Sequence, residues 1–521
     1  MPSISLNLMK LILALLALAL SALPAAAVEQ WGMFEIALPG PASGNPFVDS
    51  TVSARFTQGD RVVEADGFYD GDGLYRIRFM PGTTGEWRYQ TRSNRPELDG
   101  KSGSFTASAP SAGNHGPVGV RHTYHFAYAD GTPYCQIGTT CYSWAHADDE
   151  REELTLRTLA TSPFNKLRMC IFPQDFAFDH QQSPRYPFAG APPREWDFTR
   201  FNPEFFRHLE LRIGQLRDLG IEADLILFHP YDKKWGFNGM SAVNDDRYLR
   251  YVIARFAAYR NVWWSMSNEY DFLRTKKEAD WDRIFQVVQR SDPYGHLRSI
   301  HNGALIYNNT QAWVTHASIQ NGAAVEDPDR AVLYRDVYRK PIVFDEVKYE
   351  GDAAARWGQL SAEEMVLRFW SGVVAGTYVG HSEIFAHSDS SWLAIGGVFH
   401  GQSPPRLAFL RKVMEEAPDG EIEPIDKWQD ERTGGKAGQY YLIYFGKEAP
   451  ASWDFSLYKT GIKDGDRFGV EILDTWNMTI SPVAGVFTAK KKDGYAFMDA
   501  AGRSIVLPAA PYIALRIRRL P

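Results

Sequence analysis

Two glutamates carry the clearest chemical signal in the sequence. One stands in Ser265-Met266-Ser267-Asn268-Glu269-Tyr270, where the apolar segment 262–266 stops. The other stands in Val343-Phe344-Asp345-Glu346-Val347, where the apolar segment 342–344 stops. A single glutamate at a strand end is commonly a solvated rim residue or a helix cap. A pair in matched surroundings points to chemistry. Glycoside hydrolysis needs two carboxyl groups facing one cleft. One is protonated and gives its proton to the leaving oxygen; the other is ionised and attacks or stabilises an oxocarbenium-like centre. Like charges held close keep one proton between them, which helps to split the roles.

Other residues fit a sugar cleft. Trp144, Trp196, Trp235 and Trp392 fall in loops expected on the same face, and an indole offers a flat surface to a pyranose. The Pro-rich stretch 175–201 is long for a connecting loop and is expected to shape the pocket as a lid. Asp232, Asp345, Glu350 and Glu383 are further acids near strand ends, expected to be paired. No metal or cofactor is implied. Strand one runs into Gly138-Thr139-Thr140-Cys141-Tyr142-Ser143 without an H-x-H pair, and H-E-x-x-H, G-x-G-x-x-G and a P-loop are absent.

From about 114 to 418 strand, loop and helix alternate. Apolar strands are expected at 134–138, 167–172, 223–228, 262–266, 298–300, 314–319, 342–344 and 378–385. Helix signals lie between them. Asn202-Pro203 reads as an N-cap followed by Pro at the first turn, with Phe205, Leu209, Ile213 and Leu216 on one face and Gly220 as the stop. Ser361 and Glu364 form a capping-box pattern. Eight such strands predict an α/β fold, a (β/α)8 TIM barrel, whose strand C-termini carry the chemistry. Residues 28–110 alternate as short strands with Gly turns and predict an immunoglobulin-like β-sandwich. Residues 420–521 predict a small C-terminal β-sandwich.

The chain has 521 residues, a net charge of −7 and 44% apolar residues, an ordinary globular composition. The mild acidity gives no sequence-wide attraction for nucleic acid or an anionic membrane. Lys10, the apolar run 11–20 and Ala25-Ala26-Ala27 read as a signal peptide over 1–27, so a periplasmic or secreted protein is expected, with no membrane span after its removal. Cys135, Cys141 and Cys170 are expected as inert core thiols.

Strand four ending in Asn268-Glu269 and strand seven ending in Glu346 resemble clan A, the 4/7 superfamily of retaining glycoside hydrolases. That resemblance implies Glu269 as acid/base and Glu346 as nucleophile. It implies Asn268 on the sugar 2-hydroxyl, Arg168 of strand two beneath the nucleophile and His229 of strand three in the same shell. It further implies His316 of strand six near the nucleophile and Trp392 as an aromatic floor. His301-Asn302 on strand five has no counterpart in that superfamily. The three-part layout, with Phe79-Met80-Pro81-Gly82, Gly85-Glu86-Trp87 and Phe228-His229-Pro230-Tyr231-Asp232, is similar to a bacterial group of apiosidase-like glycoside hydrolases. The resemblance implies an exported retaining O-glycosidase whose partner is a plant, algal or microbial poly- or oligosaccharide. The alternative is a non-catalytic carbohydrate-binding protein on a degenerate barrel. Such barrels usually lose one glutamate, and this chain keeps both.

Overall fold

The structure, a computed structural model, describes residues 27–176, 179–180, 182–385, 391–428, 430 and 432–521. The expected signal peptide, apart from its last residue, lies outside them. The chain divides into two compact units, Met1–Asn114 and His115–Pro521.

The first unit is built of seven strands, in the order Ala27–Glu29, Ser102–Ser108, Gly85–Ser93, Val52–Gln58, Arg61–Tyr69, Leu74–Phe79, Phe34–Pro39. Arg61–Tyr69 serves two layers. Its first part pairs with Val52–Gln58 and its end with Leu74–Phe79. Between the layers Phe34 stacks on Phe105 at 3.9 Å and Phe56 on Phe79 at 4.0 Å. Alternation along each strand puts these rings on one face, which is why short strands suffice to close a core.

The second unit opens with the barrel. Its strands in chain order are Gly138–Thr140, Lys166–Cys170, Glu222–Phe228, Val262–Ser267, Arg298–Ser299, Ala317–Gln320, Ile342–Glu346 and Tyr378–His381. All pair in parallel, from strand five back through four, three, two and one to eight, seven and six. A parallel bridge between His301 and Ser318 joins strand five to strand six and closes the ring. The predicted TIM barrel is present, with one difference: among the described residues no α-helix separates strands five and six.

The helices follow the sequence signals. Asn202 accepts from the Glu204 N–H and starts Pro203–Asp218, which buries Phe205, Leu209, Ile213 and Leu216. Ser361 accepts from the Glu364 N–H and starts Ala362–Val374. Each cap contributes about 1 kcal/mol.

Strand one begins where the sequence predicts its end. Residues 134–137 lie outside the strand, and a side chain takes up part of their backbone hydrogen bonding. The Asn165 amide donates to the Cys135 carbonyl at 2.9 Å, and its oxygen accepts from the Ile137 N–H at 2.8 Å. Strand eight is shorter than expected, because Glu383–Ile384 leaves the barrel to pair with Glu350–Gly351.

The C-terminal strands share a core with the barrel. Tyr440–Tyr444 pairs with Ile513–Arg519, which pairs with Arg467–Asp474. Tyr440, Leu442 and Tyr444 pack into the cluster that holds Trp370, Val373, Val413 and Met414. Tyr441 and Ile443 face the other way, against Phe455, Phe468 and Phe487. The period of two in a strand produces both faces. All three cysteines are buried and free.

Candidate active site

The C-terminal ends of strands four and seven open into one cleft of about 710 Å3, lined by both Glu269 and Glu346. Strand four ends at Ser267 and the chain turns sharply. Glu269 adopts φ 41° and ψ 55°, left-handed values that cost an L-residue roughly 1–2 kcal/mol. The turn is fixed from three sides: the Asn268 N–H donates to the Phe228 carbonyl, the Tyr270 N–H to the His301 carbonyl, and the Phe272 N–H to the Glu269 carbonyl. Strained backbone held this firmly sits well with a functional position.

The two carboxyl groups lie in unlike surroundings. Glu346 is held by cationic and phenolic donors. Arg168 Nη1 donates to its Oε1 at 3.1 Å, and the Tyr142 hydroxyl donates to the same oxygen. Arg168 also reaches the Tyr142 oxygen at 3.2 Å and, through Nη2, Asn268 Oδ1 at 2.7 Å. One buried guanidinium therefore ties strand two to the functional ends of strands four and seven. Because Asn268 Oδ1 accepts from Arg168, its NH2 group is turned away, and the residue lines the cleft.

Among the described residues no cation is in contact with Glu269. Its Oε2 accepts from the Tyr231 hydroxyl. Burial pushes its carboxyl up to about 7, and the charge of Glu346 adds to the rise; the Tyr231 hydroxyl, Arg168 and Gln320 oppose it. A carboxyl near 7 is half protonated at neutral pH, as a proton donor needs to be.

His229 stands behind this arrangement. It is fully buried and absent from the cleft wall. Its Nδ1 accepts from the Tyr231 N–H at 3.2 Å, so Nε2 carries the proton and donates to the Phe172 carbonyl at 3.0 Å. Burial lowers its pKa to about 4, which keeps it neutral. It positions Tyr231, which in turn touches Glu269.

Five expected residues lie elsewhere. His316 is at the opposite end of strand six, before Ala317, packed against Phe126 and Trp263. The residue of strand six that reaches the cleft is Gln320. Trp144 is buried with its N–H on Met169 Sδ, Trp235 lies under Phe237 and Tyr186, and Trp392 donates to Thr139 Oγ1 and packs on Phe399. None of the three lines the cleft. Trp196 donates to the Trp235 carbonyl and also lies off it. The ring surface comes instead from Tyr142, Phe176, Tyr231, Phe272, Tyr349 and Trp357. Trp357 sits in a 3-10 turn after strand seven, and the sequence offered no periodic signal there.

The stretch 175–201 is not a bare loop. It carries the antiparallel pair Phe188–Ala191 and Glu195–Phe201, and among its described residues only Phe176 reaches the cleft. Glu350 and Glu383 act as anchors, accepting the backbone N–H groups of residues 400–403. Asp345 pairs with Lys166, and Asp232 accepts from the Asn238 N–H.

A closed parallel barrel with two glutamates at the ends of strands four and seven, one bound by Arg168 and one raised toward neutral pH by burial, has the fold of a glycosidase. Residues 121–385 match the family described as apiosidase-like, catalytic domain, and residues 27–94 and 428–518 each match a domain of unknown function. The chain belongs to the apiosidase-like family. The crystal structure of a candidate glycoside hydrolase from Bacteroides vulgatus is similar to it, at 41% identity over 95% of this chain and 100% of that one, with a TM-score of 0.92. A family 5 glycoside hydrolase from the same organism shares the fold, at 15% identity over 78% of this chain and 94% of that one, with a TM-score of 0.56. No curated protein matches the chain. Family membership and the relative at 41% identity support a glycosidase.

Proposed function

We propose that the protein is an exported retaining O-glycosidase acting on a plant, algal or microbial poly- or oligosaccharide. The observation that carries this is the unlike treatment of two carboxyls in one cleft. Glu346 is bound to Arg168, whereas Glu269 is raised to about 7. In the first step a Glu346 oxygen forms a bond to the anomeric carbon, the glycosidic C–O bond breaks, and Glu269 gives its proton to the departing oxygen. In the second, Glu269 takes a proton from water, whose oxygen bonds to the anomeric carbon and frees Glu346. Asn268 offers its NH2 group to a sugar hydroxyl, and the aromatic wall supplies stacking surface. The family description makes apiose-bearing glycosides the first substrates to screen.

The test is the anomer first released, followed by proton NMR on a substrate found by that screen. Retention is expected. Glu346→Gln should abolish turnover. Glu269→Ala should slow poor leaving groups most, with azide restoring part of the rate as a glycosyl azide. Inversion would sink the double displacement, and unchanged sugar binding with no turnover by the unaltered protein would favour a binding role. Export is proposed on the leader pattern of residues 1–27, and fractionation of cells making the full chain checks it.

A further inference from the structure

His301, singled out by the sequence at the end of strand five, is left unused by the reaction above. It is fully buried and lies directly behind the cleft. The barrel-closing bridge sets it opposite Ser318. Its Nδ1 lies 2.9 Å from Ser318 Oγ, and Ser318 donates its hydroxyl proton to Asp345 Oδ2 at 2.5 Å. Its Nε2 faces Glu346 Oε1 at 3.5 Å.

The charge on Asp345 assigns the proton positions. Asp345 also accepts from Lys166 Nζ at 2.7 Å. Burial alone would raise the Asp345 carboxyl, but Lys166 and Arg168 outweigh it and hold it well below the usual range. An ionised carboxylate only accepts, so the single Ser318 proton points to Asp345. Ser318 Oγ must then accept from His301, which places the imidazole proton on Nδ1. Neutral His301 therefore turns a lone pair, not a donor, toward the oxygen of Glu346.

We propose that Asp345, Ser318 and His301 form a positioning relay that reserves His301 Nε2 for a proton shared with Glu346, so that the nucleophile is not hydrogen-bonded by His301 in the active state and is quenched by it in acid. This rests on the reading of Glu346 as the nucleophile. The groups facing His301 are Arg168 from strand two, Ser318 and Gln320 from strand six, and Asp345 and Glu346 from strand seven. Burial and Arg168 lower its pKa to about 4, while Glu346, Asp345 and a side-chain hydrogen bond with Gln320 oppose them. Above that value the lone pair faces the carboxylate, an arrangement relieved as Glu346 gives up its charge to the anomeric carbon. Interactions less favourable in the ground state than in the transition state raise kcat. Below it, a solvent proton enters at Nε2 and donates to Glu346 Oε1.

The test uses the full protein labelled with 15N-histidine. Two-bond 1H–15N spectra, with the resonance assigned through His301→Gln, are expected to show the Nδ1–H tautomer at pH 7. In Ser318→Ala the Nδ1 partner is gone, and the proton should move to Nε2 and bond Glu346. The kcat at pH 7 should then fall about tenfold, the worth of one hydrogen bond to a charged group. The acid limb of kcat/KM should move down, because the Glu346 anion is now stabilised. Ser318→Thr keeps the hydroxyl and should restore the Nδ1–H form and the acid limb. A purely structural role for Ser318 would lower stability without moving tautomer or limb. An Nε2–H tautomer in the unaltered protein, or an unmoved tautomer in Ser318→Ala, overturns the relay. If the tautomer shifts as expected but no glycoside is turned over, the relay stands and the glycosidase reading fails.

Discussion

Glu269 and Glu346 are the same residue type at equivalent strand ends, and their neighbours alone make them different. The acid limb and the basic limb of activity are therefore separately addressable. Glu269 must be protonated in the first step, so kcat/KM should fall as pH rises through about 7. The Tyr231 hydroxyl donates to the Glu269 anion and favours it. Tyr231→Phe removes that donor, the Glu269 pKa rises further, and the basic limb should move up by about one pH unit. A limb that stays in place would mean that Tyr231 does not tune the acid. Arg168→Met removes the cation from Glu346 and the donor from Asn268 together. It should lower kcat/KM by about 10²–10³, the usual cost of a preorganised donor at a reacting group. The glutamates were legible because an apolar strand that stops in Asn-Glu or Asp-Glu marks a position on the sequence itself. Tyr231, Tyr142 and Gln320 were less so, since a tyrosine or glutamine in a loop carries no local sign of what it touches. The tryptophans misled for a related reason. A large ring beside a strand end packs inside the protein as readily as it faces solvent, and Trp144, Trp235 and Trp392 are buried.

At the scale of the elements, the barrel interior is polar where the sequence suggested only apolar runs. Lys166 of strand two lies between Asp224 of strand three and Asp345 of strand seven, at 3.0 and 2.7 Å, and all three are buried. The ammonium thus links three strands just below the site and holds Asp345 ionised for the contact with Ser318. Removing one partner from such a cluster leaves uncompensated buried charge. Lys166→Met should therefore cost about 3–5 kcal/mol in urea unfolding, more than its lost packing alone. A loss under about 1 kcal/mol would show that the two acids simply take up a proton instead. The eight strands themselves were visible as apolar runs at strand length, and the caps at Asn202 and Ser361 fixed two helix starts. Register was not visible. His316 and Gln320 both belong to the strand-six region, and only the pairing of Gln320 with Glu346 decides which one reaches the cleft. The apolar run 134–138 resembles a strand in the sequence, yet an Asn side chain takes the place of a neighbouring strand along most of it, and that substitution leaves no trace in hydrophobic pattern.

At the scale of the molecule, composition separates a barrel from a β-rich C-terminal part, yet packing joins them. The boundary near 420 is a change of secondary structure, not of core. Helix Ala362–Val374 gives one face to the barrel and meets Tyr440, Leu442 and Tyr444 with another, and Trp370 and Tyr444 are in ring contact at 5.4 Å. Burying a leucine or aromatic side chain contributes about 1.5–3 kcal/mol each, so the shared face is a large fraction of the 5–15 kcal/mol that a domain has to spare. The unit His115–Pro521 should consequently unfold as one cooperative body, with a single calorimetric transition. Leu442→Asp places an unpaired charge in that shared core and should shift the whole transition downward, site included, although Leu442 is far from Glu269 in the chain. Trp fluorescence, dominated by the barrel, and thiol exposure at Cys135, Cys141 and Cys170 should move together with it. Two separated transitions, only one of them sensitive to Leu442→Asp, would instead mean that the C-terminal sheet is a rider on a self-sufficient barrel, and that the residues matching a domain of unknown function there contribute nothing to the stability of the site.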